Sequence, residues 1–182
     1  MKYLRSDTSW EFNSRLSKDD NKWLYYGEGY KLAIEILEKQ ILEIDRTQQD
    51  FLIYPFCYLI RHYIELRLKE IIDEGNKILA ISTNPSEGKH NLAVLWSKSQ
   101  ETLKLVWKEN YVDAPKDVFR FINEIHTIDI KSENFRYPID NKQNDSLHEK
   151  IFNFKVLSEG FIPIKHYLEG IADGLAVLKD TT

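Results

Sequence analysis

One stretch constrains this chain more than any other. From Tyr54-Pro55-Phe56-Cys57 through Arg61-His62-Tyr63-Ile64-Glu65 to Lys69-Glu70-Ile71-Ile72, it is apolar around most of a helical circumference. At helical spacing, Phe56, Leu59, Ile60, Tyr63, Ile64, Leu66, Leu68, Ile71 and Ile72 cover nearly every side, so the pattern predicts a central helix packed by several others. Pro55 suits a first helical turn, where its missing N–H has no intrahelical partner, and Gly75-Asn76 supplies a stop. A narrow polar stripe interrupts the apolar surface: Arg61, Glu65 and Lys69 at i, i+4 and i+8, with His62 beside them. That spacing permits ion pairs along a solvated seam, each worth roughly 0.3–0.5 kcal/mol. It equally permits a polar site lining a groove between helices.

The flanking sequence carries the same helical rhythm. Residues 1–20 form a polar arm with Trp10 and Phe12 as isolated apolar anchors, and residues 21–182 are expected to form one helical domain. Asp19-Asp20-Asn21 offers cap oxygens for a helix over 22–44, whose apolar stripe runs through Trp23, Tyr26, Tyr30, Ala33, Ile34, Leu37, Ile41 and Ile44. A third helix is expected from Asn91, burying Leu92, Leu95, Trp96, Leu103, Val106 and Trp107. A fourth is expected from Asp113-Ala114-Pro115, burying Val118, Phe119, Ile122 and Ile125. Periodicity then lapses from Asp129 to about Ser146. Phe135-Arg136-Tyr137-Pro138 within that span favours an ordered loop laid across the bundle. The last helix repeats Leu147, Ile151, Phe154, Leu157, Phe161, Ile164, Leu168, Ile171, Leu175 and Leu178, with a kink expected at Gly160 and Pro163. The pattern as a whole predicts an all-α fold, an antiparallel bundle of about five helices.

Composition narrows the function classes. With 182 residues, 42% hydrophobic and 30% charged, the chain is long enough to bury roughly 70% of its extended surface. A net charge of −4 argues against coating nucleic acid or anionic membrane through the overall field, although 25 Lys and Arg leave room for a local basic groove. The single cysteine, Cys57, lies inside the apolar run and provides neither a disulfide framework nor a thiolate zinc site. His62, His90, His126, His148 and His166 show no metal-ligand spacing, so neither a metal nor a cofactor is expected. No signal peptide and no membrane-spanning run is read, and a soluble, reducing cytoplasmic setting is the expectation.

Several short signals stand in a fixed order. After the small-residue first helix come Arg61-His62-Tyr63-Ile64-Glu65 with Lys69, then Lys89-His90-Asn91-Leu92, then Arg136-Tyr137-Pro138-Ile139-Asp140. This order resembles the HEPN superfamily of small helical-bundle proteins, in particular its branch with Glu-x-x-x-Lys, His-Asx-Leu and Arg-Tyr-Pro elements. The resemblance spans about Lys22 to Leu178. It implies a bacterial defence or toxin–antitoxin setting, a homodimer, and a nucleotide or RNA as ligand, with a cognate protein as a further partner. Ribonuclease members of the superfamily carry an Arg followed four to six residues later by a His. Here only Arg120 and His126 have that spacing, with Phe121 where a polar residue is expected.

The binding residues expected on this basis are Arg61, His62, Glu65, Lys69, His90, Arg136, Tyr137 and Asp140. Arginine forks grip phosphate oxygens, a histidine acts as acid or base near neutral pH, and Tyr58, Tyr63 or Tyr137 stacks on a base. Two other readings remain open. One is a non-enzymatic helical adaptor or antitoxin-type module whose groove takes a protein helix. The other is a metal-independent endoribonuclease, in which a histidine activates the ribose 2′-hydroxyl.

Overall fold

The computed structural model describes residues 22–82, 88–140, 142–147 and 150–181, together with Ser14. The expected N-terminal arm, apart from Ser14, and the Asp19-Asp20-Asn21 cap lie outside the described residues. Among the described residues the regular structure is helical: α1 (Lys22–Ile41), α2 (Arg46–Ile78), α3 (Leu92–Trp107), α4 (Lys116–Ile128) and α5 (Phe154–Thr181), with a short 3-10 turn at Lys108–Asn110. An isolated bridge pairs Ile139 with Asp145 inside the loop before α5.

α2 is the organising element, and it is longer than its sequence pattern suggests. Asp45 and Gln48 form a reciprocal capping box: the Asp45 carboxylate accepts the Gln48 N–H at 3.0 Å, and the Gln48 side chain accepts the Asp45 N–H at 3.3 Å. The helix therefore starts at Arg46 rather than at Tyr54, and the polar run 46–50 opens it. Pro55 lies inside the helix. Both Pro55 and Phe51, whose carbonyl loses its donor, are on the exposed side, where water can satisfy that carbonyl. At the other end the helix passes through Gly75-Asn76 to Ile78. Gly75 is there for packing: a Cβ on it would collide with Thr102 Cγ2 of α3.

The core follows from α2. Phe56, Ile60, Tyr63, Ile64, Leu68 and Ile71 are buried among Ile34 of α1, Leu92, Leu95 and Leu103 of α3, Ile122 of α4, and Ile164 and Leu168 of α5. α2 packs against α1, α3 and α5, and α4 closes the bundle against α3 and α5. Asn91 caps α3 as its sequence position implies, its side chain accepting the Val94 N–H at 3.0 Å. Three local expectations shift. Asp113 does not cap α4, whose first residue follows Pro115; Phe119 is half exposed because it faces the groove between α3 and α4; and α5 begins at Phe154, leaving Leu147 and Ile151 in the preceding connection. Pro163 and Gly160 both lie within α5, Pro163 on its exposed side.

The long connection 129–153 is built rather than loose where it is described. Asp129 ends α4 and its Oδ1 accepts the N–H groups of Glu133 at 2.6 Å and Asn134 at 3.0 Å. Phe135 is buried and meets Phe152 at 6.1 Å between centroids. Asp140 organises the next turn, accepting the N–H groups of Lys142 and Asn144 at 2.7 and 2.9 Å. No helix of the described residues is long and apolar enough to cross a membrane.

Candidate functional site

The polar stripe on α2 is not a solvated seam. Arg61, Glu65 and Lys69 are 0%, 1% and 7% exposed. Glu65 is the hub. Its Oε2 accepts Arg61 Nη1 at 2.9 Å, and its Oε1 accepts Lys69 Nζ at 2.7 Å and lies 2.9 Å from His90 Nδ1. Burial opposes ionisation of Glu65, but the Lys69 ammonium and Arg61 guanidinium outweigh it and hold the carboxyl below its usual range. Arg61 spends its other donors on the loops, with Nη2 to the His90 carbonyl at 2.5 Å and Nε to the Asp129 carbonyl at 3.1 Å. Asp129 Oδ2 lies 3.2 Å from the same Nε. With a single hydrogen directed at the carbonyl, Nε gives that oxygen charge attraction but no hydrogen bond.

This cluster fixes where the α2–α3 and α4–α5 connections meet α2. Lys69 also lies 5.8 Å from the Trp23 ring of α1. Each of the three Arg61 nitrogens thus donates a hydrogen bond inside the protein, so Arg61 acts through the loops it holds. His90 is the cluster's outlet: its side chain is 59% exposed while Nδ1 remains on Glu65.

A second arrangement begins one turn earlier on α2. The His62 ring stacks on Tyr58, with centroids 5.5 Å apart and planes 13° from parallel, and meets the edge of Tyr30 at 4.5 Å. Its Nδ1 is buried without a hydrogen-bond partner, and burial, reinforced by Lys69 and Arg61, pushes its pKa below the ordinary value. Arg136 lies against the same Tyr58 ring. The Arg136 Cζ lies 5.7 Å from the Tyr58 ring and 5.3 Å from the Tyr137 ring, while its Nε donates to the Ser132 carbonyl at 2.6 Å. No carboxylate pairs with Arg136 among the described residues. Arg136 and Tyr137 line a cavity of about 500 Å³ with Tyr54, Phe135, Pro138 and Asp145.

The residues singled out in sequence therefore divide into two adjoining groups. Arg61, Glu65, Lys69 and His90 converge in the buried cluster; His62, Arg136 and Tyr137 belong to the stacked column and its cavity. Asp140 is engaged in the turn it organises. Arg120 and His126 are not brought together, because α4 is unbroken through both and places them about 120° apart. Arg120 pairs with Asp117 at 2.9 Å on the surface, whereas His126 has a partnerless, buried Nδ1 and a pKa lowered by burial and by Arg61. Sequence reasoning did not find Asp129 or Tyr54. An aspartate closing a helix before a polar run is a signal for loop anchoring, while Tyr54 was placed at the entry to α2 rather than on an exposed face of it.

No protein-family model matches the chain, and comparison with curated proteins and with solved structures returned no match.

Proposed function

We propose that this chain is a HEPN-like helical-bundle protein that binds a nucleotide or RNA at the cavity beside Arg136. The observation that carries this reading is the guanidinium of Arg136, which lies over the Tyr58 and Tyr137 rings and, among the described residues, has only its Nε hydrogen committed. Four N–H donors of a permanent cation remain for an anionic group, and the half-exposed Tyr137 ring beside them offers a stacking face. A phosphate next to a planar base matches both features. The buried Glu65 cluster supports the site by fixing the loop ends on either side of α2. The defence or toxin–antitoxin setting and the homodimer follow from the family resemblance alone.

Binding of mononucleotides and short labelled RNA to the wild type and to Arg136→Ala and Tyr137→Ala tests the reading, with thermal melts checking the fold. Loss of one stacked ring weakens binding by about 1–3 kcal/mol. Equal binding by all three proteins, or none by the wild type, removes the proposal.

A second reading has its own observation. Leu32, Ile36 and Leu42 are 57%, 55% and 80% exposed on and just after α1, an apolar surface suited to a partner helix and hence to the adaptor function. Indifference to nucleotides together with a stable complex through α1 favours it.

A further inference from the structure

We infer that the ligand is a single-stranded nucleic acid longer than one nucleotide, held along a groove that continues from Arg136 past Tyr54 to Arg46, Lys150 and Lys155. This extension rests on the reading of the Arg136 cavity as a nucleotide site.

The first reason is continuity. The cavity beside Arg136 and a second of about 620 Å³ share Tyr54 and Leu147 as lining residues, so one opens beside the other. Each alone suits a small molecule, but together they pass the ~1,000 Å³ upper end of such sites.

The second reason is charge. The second cavity is lined by Arg46, Lys150 and Lys155 against one carboxylate, Asp50, in a chain whose net charge is −4. Among the described residues Arg46 and Lys150 have no ion-pair partner, and Lys155 reaches Glu159 only at 3.9 Å across solvent. The start of α5, where Asn153, Phe154 and Lys155 line this cavity, adds the positive end of a long helix dipole.

The third reason is the spacing of aromatic faces. Tyr137 and Tyr54, 53% and 50% exposed, both line the first cavity, and Tyr54 also reaches into the second. Half-exposed aromatic faces beside basic side chains match the chemistry that holds single strands: bases stack and the backbone follows the charge. An acidic peptide would use the cations but not the rings.

The test measures fluorescence anisotropy of labelled ligands of one, two, four and eight nucleotides, as RNA and as DNA, across about 50–200 mM salt. Wild type, Arg136→Ala and the Lys150→Ala/Lys155→Ala double variant are compared, with poly-glutamate as competitor. Affinity is expected to rise with length in the wild type. The double variant is expected to keep mononucleotide affinity and to lose about 1.4 from the slope of log K against log salt on the longest strand, about 0.7 for each lost phosphate contact. Arg136→Ala is expected to weaken every length. Either nucleic acid behaving so supports the inference, and the RNA-to-DNA ratio then identifies the sugar preferred. Equal affinity for one and eight nucleotides, an unchanged salt slope in the double variant, or displacement by poly-glutamate as readily as by RNA overturns the extension while the mononucleotide site stands. Absence of all nucleotide binding overturns the site and the extension together.

Discussion

Arg61 and Glu65, one turn apart on α2, form an ion pair 2.9 Å long whose side chains are 0% and 1% exposed. On an exposed helix such a pair contributes a few tenths of a kcal/mol. Buried, it behaves differently: its partners have already given up their hydration, so removing one strands the other. Glu65→Ala leaves Arg61 and Lys69 without their carboxylate and is expected to destabilise the fold by about 3–5 kcal/mol. A urea-denaturation cycle with Arg61→Ala should show coupling of roughly 1–3 kcal/mol between the two sites. A cost below about 1 kcal/mol for Glu65→Ala would mean that the pair is solvated.

Acid should weaken the fold in two stages. Burial holds His62 below its ordinary value of 6.5, and His126 shifts the same way. The unfolded chain therefore takes up protons as pH falls through about 6.5 while the folded chain does not. Stability is fully present above that pH and is lost as pH falls through the depressed folded values. Glu65 acts lower, because its contribution is complete above about 4.5 and disappears as pH falls through its own depressed value. Urea midpoints should fall between about pH 7.5 and 5.5, and His62→Phe should flatten that dependence. A midpoint that stays level or rises on acidification would contradict the lowered pKa of these half-buried rings.

The α2–α3 contact predicts opposite signs for the same substitution at two glycines. At Gly75 a new methyl meets Thr102 Cγ2, so Gly75→Ala should cost about 1–3 kcal/mol, and Thr102→Ser, which removes that methyl, should recover part of it. At Gly29 on α1 an added Cβ meets no packed neighbour within 4 Å among the described residues, and Gly29→Ala should stabilise by up to about 1 kcal/mol. Thermal melts of the three variants decide. Stabilisation by Gly75→Ala would place α3 farther from α2 than the structure has it.

Where the sequence was legible and where it was not can be traced to particular residues. The all-helical architecture and the central place of α2 were readable because Phe56, Ile60, Ile64, Leu68 and Ile71 repeat at helical spacing and are buried. The sequence pattern places the start of α2 at Tyr54 because Pro55 resembles a first-turn proline, while the Asp45–Gln48 capping box lies six to nine residues upstream in a polar run. The Arg61, Glu65 and Lys69 spacing was legible as ion pairing. Its burial was not, since that depends on where residues 90 and 129 return to α2, a tertiary fact that local periodicity does not encode. Arg136 and Tyr137 were recognised as neighbours in sequence, but their alignment with Tyr58 and His62 into one column required the fold of the 129–153 connection.

The most direct test of the Arg136 site is photo-crosslinking of a short 4-thiouridine-labelled RNA to the wild-type protein, with the modified residues mapped by mass spectrometry. The expected adducts fall on Tyr137 and Tyr54, and they diminish in Arg136→Ala while the thermal melt is retained. Adducts concentrated instead in the groove of about 540 Å³ lined by Trp96, Tyr111 and Phe119, or no adducts at all, would contradict nucleotide binding beside Arg136.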